Sequence, residues 1–344
     1  MPLLTRGIQP NVYSIRESND IQTRTVEYFH KNDPKLKADI ESIIAEMRDA
    51  KEYGSILNIT PVDFAGLYAR FDEIRSDISM MKASALEELL PLVKCAEALA
   101  QKYDVVVTNP PYMGNGGMNA RLAEYVKKNF PDAKSDLFSC FIERGFQLAN
   151  VQGFVSMITM ESWMFLSSFE KMRQKIVNTH TIVNMVHMPY LGKGGTSLGI
   201  NFGTAAVIFN KRYCRDYNSQ FDYICYYETD ENGVPFAFPT INERYKAAKA
   251  ANFSKIPGSP VAYWVSSVTL KTFAYSSIGQ IAKPRQGLAT GCNDIFIRLW
   301  HEVNEEKVNY MAESLDGAVK SQRNGSPITR EAIIAVGTEI TSIW

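Results

Sequence analysis

The sequence predicts an α/β fold: a mostly parallel sheet with helices on both faces. Three observations predict it. From Tyr103 onward, strand-like apolar runs alternate with helical segments. The run Val105-Val106-Val107-Thr108 stops abruptly at Asn109-Pro110-Pro111-Tyr112, where neither proline has an N–H to continue a central strand. The last two strand candidates, Ile182–Met188 and Thr204–Asn210, are joined by a loop without a helix, so they can pair antiparallel.

The elements follow in order. Asn11–Ile15 reads as a short strand before the polar Arg16-Glu17-Ser18-Asn19-Asp20. Residues 35–51 read as a charged helix. Residues 82–101 repeat apolar positions at helical spacing, at Leu86, Leu90, Val93, Ala96, Leu99 and Ala100, and Pro91 kinks or divides the segment. Val105–Thr108 is a buried strand, because three consecutive β-branched residues suit a pleated apolar environment. Asp136–Ala149 is a helix with Phe138, Phe141, Ile142, Gly145 and Leu148 on one side. Gly153–Thr159 is an apolar strand. Ser167-Ser168-Phe169-Glu170 has the form of a capping box, opening a helix to about Asn178. The glycine-rich stretch Gly192–Gly203 reads as a flexible hairpin loop. It is no phosphate-binding Walker loop, since His187 stands where that motif needs its first glycine. Residues 213–262 are mixed, with aromatics at Tyr223, Tyr226 and Tyr227.

Composition bounds the function loosely. The 344 residues include 37 basic and 37 acidic side chains, for a net charge of zero, which does not favour nucleic-acid binding and does not exclude it. The basic clusters Lys127-Lys128, Lys134 and Lys171-Arg173-Lys175 read as solvated helix faces or as phosphate contacts. No apolar run is long enough to span a bilayer, and the five cysteines form no Cys-x-x-Cys pair. A cytoplasmic protein with reduced thiols is expected. The four histidines include no His-Glu-x-x-His, so no metal site is expected.

Asn109 and Tyr112 would stand at the carboxyl end of a strand, where open α/β sheets place their ligand crevice. An amide, a fixed carbonyl and an aromatic ring on a stiff turn suit a planar polar ring. Residues 105–112 resemble motif IV of the class I, S-adenosylmethionine-dependent N6-adenine DNA methyltransferases. The wider match includes Met113-Gly114, Lys134-Ser135-Asp136-Leu137-Phe138, Phe141-Ile142-Glu143-Arg144, Thr159–Leu166 and Lys283–Gly291. It is similar to the adenine-specific methyltransferases of BREX phage-defence systems and their type IIG restriction–modification relatives.

The resemblance implies a Rossmann-like sheet of strand order 3-2-1-4-5-7-6 with the seventh strand antiparallel. Asn11–Ile15 would be its third strand, and Val105–Thr108, Gly153–Thr159, Ile182–Met188 and Thr204–Asn210 its fourth to seventh. The chain would hold a partial sheet, strands 3 to 7, lacking the glycine-rich motif I. Its divisions would be a remnant of the cofactor side (1–102), the catalytic core (103–212), a linker or insertion (213–262) and the start of a target-recognition domain (263–344). In that last part Cys292 stands where the family usually carries an acidic residue.

The implied activity is site-specific N6-methylation of adenine in phage defence or restriction–modification, with S-adenosylmethionine as cofactor. The implied partners are double-stranded DNA with a flipped adenine, and a missing N-terminal segment or other defence-system subunits. Asn109 and Pro110 would accept the two amino hydrogens of adenine, Pro111 would stiffen the turn and Tyr112 would stack on the base. Phe202 is a candidate second ring. Glu17 and Asp136 are candidate cofactor contacts; Glu17 also reads as a solvated loop charge, and Asp136 as a helix cap. Two alternatives remain open: methylation of a protein glutamine or an RNA base, and an inactive remnant that binds DNA or partner subunits.

Overall fold

The computed structural model describes residues 10–189, 202–231, 234–239 and 242–282. The chain opens with a helical layer: α1 (Thr23–His30), α2 (Pro34–Glu46), α3 (Ala50–Tyr53), α4 (Phe64–Ser76), α5 (Met81–Ser84) and α6 (Leu90–Ala100). Helix α2 starts where local chemistry dictates. Pro34 takes the first helical position, and Asp33 Oδ1 accepts the N–H groups of Lys35 and Leu36 at 2.8 and 3.0 Å. Between α5 and α6 the backbone widens into a π-turn at Ala85–Leu89, immediately before Pro91. The wider turn accommodates a ring that cannot donate to the preceding turn, which divides the segment as its sequence predicts. Phe29, Ile40, Leu67, Phe71, Leu92 and Val93 give this layer its own apolar core.

The expected strand at Asn11–Ile15 is not formed. Residues 10–18 carry neither helix nor strand, Val12 is exposed, and Ser18 ties the segment to α2 through Ile44 and Met47 carbonyls. A short apolar segment forms a strand only where another strand offers it hydrogen bonds. Here the neighbours are helices, and Ile15 packs on their core instead.

After this layer come β1 (Tyr103–Thr108), α7 (Ala120–Asn129), α8 (Leu137–Leu148), β2 (Ala149–Met160), α9 (Glu170–Thr179), β3 (Thr181–Met188), β4 (Thr204–Asn210), β5 (Asn218–Tyr223), β6 (Lys246–Lys249), α10 (Ala250–Phe253) and α11 (Ser267–Thr272). The sheet order is β1-β2-β4-β3-β5-β6. Strand β1 lies parallel to β2, and β4 runs antiparallel between β2 and β3. This is the expected 4-5-7-6 arrangement, extended by β5 parallel to β3 and by β6 antiparallel to β5. The glycine-rich connection between β3 and β4 lies largely outside the described residues, as does Lys283–Arg298.

Helices α8 and α9 cover one face of the sheet. Gly145 of α8 lets helix and strand approach: a Cβ there would stand 2.7 Å from both Val155 and Met157 side chains. The opposite face is bare at β1 and β2 among the described residues, where Val105, Val107, Phe154 and Ile158 are exposed. The expectation of a fully buried β1 is therefore corrected. Val107 is 71% exposed, because it points to the face that no described helix covers, while Val106 points to the core on the other. No described helix is long and apolar enough to cross a membrane.

Two buried arginines knit the layers. Arg173 of α9 donates from Nη1 to the Trp163 and Leu166 carbonyls, and from Nε and Nη2 to Gly258. It is therefore neither a solvated charge nor a phosphate contact. It also explains why the expected capping box is absent. Ser167–Phe169 forms a 3-10 turn, α9 begins at Glu170, and the cap position falls to Phe169, whose buried ring packs on Phe138 at 5.6 Å. Packing of Phe169 and the Leu166 carbonyl on Arg173 fix the turn instead of the serine hydroxyl.

Arg144 of α8 joins the helical layer to the sheet. Its guanidinium donates to the Ser55 carbonyl at 3.2 Å, Asn58 Oδ1 at 3.0 Å and the Leu99 carbonyl at 2.7 Å. Burial pushes its pKa down to about 10, so it stays protonated near neutral pH. Beside it Tyr53 and Tyr125 stack at 4.4 Å, each packing on both cores. Arg144→Met would keep the apolar stem and leave three acceptors without their donor. We expect a loss of about 2–4 kcal/mol, read from urea unfolding midpoints. Arg144→Lys should recover only part of it, since an ammonium lacks the planar fork. A loss below about 0.5 kcal/mol in the methionine variant would show that the joint rests on the aromatic pair alone.

Candidate active site

Strand β1 delivers its last residue, Thr108, to the rim formed by the carboxyl ends of β1, β2, β3 and β5. Pro110 is buried while Asn109, Pro111 and Tyr112 are exposed. One proline thus anchors the turn and its neighbours are displayed. The prolines need no backbone donor partners, so the chain can leave the sheet without orphaned N–H groups.

The turn is fastened at its far end by Asp136. Its Oδ1 accepts the Met113 N–H at 3.1 Å and the Phe138 N–H at 3.2 Å. Leu137 donates back to the Met113 carbonyl at 2.9 Å, and Asn115 to the Ser135 carbonyl at 3.1 Å. One carboxylate therefore both caps α8 and holds the exit of the Asn-Pro-Pro-Tyr turn.

Tyr112 closes the turn. Its hydroxyl lies 3.3 Å from Asn109 Oδ1 and 3.1 Å from the Ile158 carbonyl of β2. A phenol has one hydrogen, so it serves one of these acceptors at a time. Burial, and then the charge of Asp136, hold its pKa above the usual tyrosine value. The hydroxyl therefore stays protonated at neutral pH, as a donor. The Tyr112 ring meets Phe202 edge-to-face at 5.1 Å and 71°, and Phe138 at 6.2 Å. Phe202, read from sequence only as a candidate, stands at the turn despite lying 90 residues away in the chain.

Glu17 is not brought to this group. Its carboxylate pairs with Lys51 at 3.1 Å in the helical layer. Sequence reasoning also missed three polar side chains on the same rim. His187 Nε2 lies 2.6 Å from Glu161 Oε2, and its Nδ1 lies 2.9 Å from the Tyr263 hydroxyl. Only Glu161 carried a signal, by falling within the Thr159–Leu166 segment; a single histidine in an apolar strand reads as core.

Residues 15–192 match the Eco57I restriction-modification methylase family. That span is more than half of the chain and contains both the turn and Asp136. The chain belongs to this family. The adenine-specific methyltransferase BrxX of Escherichia coli O9:H4 (strain HS) is 33% identical over 332 residues, covering 88% of this chain and 27% of that protein. The adenine-specific methyltransferase PglX of Lacticaseibacillus casei (strain Zhang) is 31% identical over 331 residues, covering 89% and 26%. The chain thus spans about a quarter of the length of these curated relatives. Among solved structures, the DrdV–DNA complex matches with a TM-score of 0.36 at 17% identity, over 56% of this chain and 21% of that one.

Asp136 supplies the sharpest test of this geometry. Asp136→Ala should cost about 1–2 kcal/mol through loss of the cap and free the Met113 N–H. Asp136→Asn keeps an oxygen at the same place and should stay within about 0.5 kcal/mol of the parent. Thermal unfolding measures both. Hydrogen exchange at Met113 should quicken in the alanine variant alone; equal exchange in all three proteins would contradict the clamp.

Proposed function

We propose that this chain carries the methyl-acceptor half of an N6-adenine DNA methyltransferase acting in phage defence or restriction–modification. The observation that supports it most is the displayed turn, with Asn109 Oδ1 and the Tyr112 ring held at the carboxyl end of β1. The exocyclic nitrogen of adenine is a poor nucleophile, because its lone pair is delocalised into the ring. Asn109 Oδ1 and the Pro110 carbonyl would accept its two hydrogens and so localise that pair. This is catalysis by fixed dipoles and position. Before a base enters, Asn109 Oδ1 lies within reach of the Tyr112 hydroxyl. On entry the hydroxyl can give its hydrogen wholly to the Ile158 carbonyl, releasing Asn109 without rearranging the backbone.

The base must leave the duplex, at a cost of a few kcal/mol. Stacking on the Tyr112 face would return about 1–3 kcal/mol. Phe202 meets Tyr112 edge-on, so it would wall the pocket rather than sandwich the base. A protein glutamine presents a similar planar nitrogen. Adenine is favoured because the curated relatives are named adenine-specific methyltransferases.

S-adenosylmethionine is the methyl donor in this reading. The described residues do not by themselves fit it. Glu17 is engaged by Lys51, and Asp136 is engaged by two backbone N–H groups. The donor side would be built by further polypeptide on the edge and face of β1 that no described residue covers, where Val105 and Val107 are exposed.

Two experiments test this reading. In a full-length protein carrying this segment, Asn109→Ala should abolish nearly all N6-methyladenine, measured by mass spectrometry, with DNA affinity nearly unchanged, since phosphate contacts carry most affinity. In the same protein Tyr112→Phe should be tolerated, whereas Tyr112→Ala should lose capture of 2-aminopurine at the target position. Substantial methylation by the Asn109 variant would overturn the assignment. Second, the 344-residue chain alone should show no micromolar binding of S-adenosylmethionine by isothermal titration, and should gain it when the rest of the longer protein is co-expressed. Micromolar binding by the chain alone would contradict the division of the site.

A further inference from the structure

The Glu161–His187–Tyr263 chain lies outside the turn, yet it ends on the residue next to Phe202. Its base is rigid. Tyr263 is buried and stacks on Phe221 at 4.5 Å with the rings 2° from parallel. The segment leading to it is fastened by Arg173 to the Gly258 and Ser259 carbonyls, and by the Val261 N–H to the Met164 carbonyl at 2.8 Å. From this base the Tyr263 hydroxyl meets His187 Nδ1, and His187 Nε2 meets the Glu161 carboxylate. A carboxylate only accepts, so Nε2 carries a hydrogen toward Glu161, and Nδ1 pairs with the tyrosine hydroxyl.

The far end of this chain grips Gly203. The Glu161 N–H donates to the Gly203 carbonyl at 2.8 Å. A Cβ on Gly203 would fall 2.2 Å from the Glu161 carboxylate, so a larger residue there would have to displace that side chain from its place against His187. Gly203 follows Phe202, whose ring meets Tyr112. Glu161 also opens the turn directly after β2, three residues beyond the Ile158 carbonyl that receives the Tyr112 hydroxyl. Two of the groups that meet Tyr112, the Ile158 carbonyl and the Phe202 edge, thus lie within a few residues of Glu161 or of its partner Gly203.

We infer that Glu161 and His187 are positioning residues for the target-base pocket: the His187 imidazole orients the Glu161 carboxylate, which seats Gly203 and so sets Phe202 against Tyr112. This deepens the proposed function and rests on its reading of Tyr112 as the stacking ring. Neither residue would touch the reacting nitrogen. The chain of contacts predicts an asymmetry between the two ring nitrogens. Only the Nε2 contact leads to Phe202; the Nδ1 contact anchors the ring behind it.

The test labels position 202 with 4-fluorophenylalanine in the 344-residue chain and follows its fluorine resonance. An asparagine at 187 places its amide near the position of Nδ1, and a glutamine near that of Nε2. His187→Gln should therefore keep the contact to Glu161 and leave the resonance close to the parent's. His187→Asn should lose that contact, and the resonance should shift or split. Tyr263→Phe, which keeps the stacked ring and removes one hydroxyl, should change it little, and Glu161→Gln should preserve it better than Glu161→Ala. Circular dichroism confirms that each variant is folded. If His187→Asn and His187→Gln perturb the resonance equally, or neither does, the positioning role is wrong. In the full-length protein, His187→Asn should weaken 2-aminopurine capture about tenfold relative to His187→Gln, matching the loss of one charged hydrogen bond. A moved resonance with unchanged capture would leave the coupling intact and sink the base-pocket reading instead. Unchanged resonance and reduced capture would sink the coupling.

Discussion

The site depends on how a sheet strand can end in two prolines and still be held still. Prolines remove the backbone donors that would fix a turn, so the restraint has to come from elsewhere. Asp136 supplies it, by accepting from Met113 on one side and Phe138 on the other. The helix that follows is itself pinned, by Gly145 pressed on β2 and by Arg144 reaching into the helical layer. The turn is therefore anchored to the sheet through β1 and to the helices through one carboxylate. Fixed dipoles act in catalysis only when they need not reorganise, and this anchoring is what would make Asn109 such a dipole.

Among the described residues β1 pairs on one side only. Its other edge offers hydrogen-bonding groups along Tyr103–Thr108, and Val105 and Val107 are exposed beside Phe154. Edges of this kind are normally covered, because they invite association. The curated relatives, of whose length the chain spans about a quarter, carry further polypeptide of the kind that covers such an edge. The proposed division of labour follows from this: acceptor chemistry on the turn, and donor chemistry on whatever docks beside it.

Much of this was legible in the sequence, for reasons that differ by element. Thr204–Asn210 was readable to the residue because Ala205–Phe209 is a continuous apolar run bounded by Gly203 and Asn210, and the strand is paired on both sides. Helix α8 was readable from its apolar stripe and its Asp136 cap. Asn11–Ile15 misled because a few apolar residues in a row do not record the presence of a partner strand. Strand β5 was missed because Ser219, Gln220 and Asp222 interrupt its apolar pattern, so pairing with β3 rather than hydrophobic pattern makes it a strand. The capping box at Ser167 failed because a buried aromatic ring outweighed a surface hydrogen bond. At the site, Asn109–Tyr112 was legible because prolines and asparagine act locally. Glu161, His187 and Tyr263 were not, since only the fold brings together positions separated by 26 and 76 residues.

The most direct measurement of the central claim is a cryo-electron microscopy map of the full-length protein on its target duplex. The account predicts one extrahelical adenine with its N6 within hydrogen-bond distance of both Asn109 Oδ1 and the Pro110 carbonyl, and its ring on Tyr112. A target adenine that stays stacked in the duplex, or one extruded into a pocket away from Asn109, would contradict it.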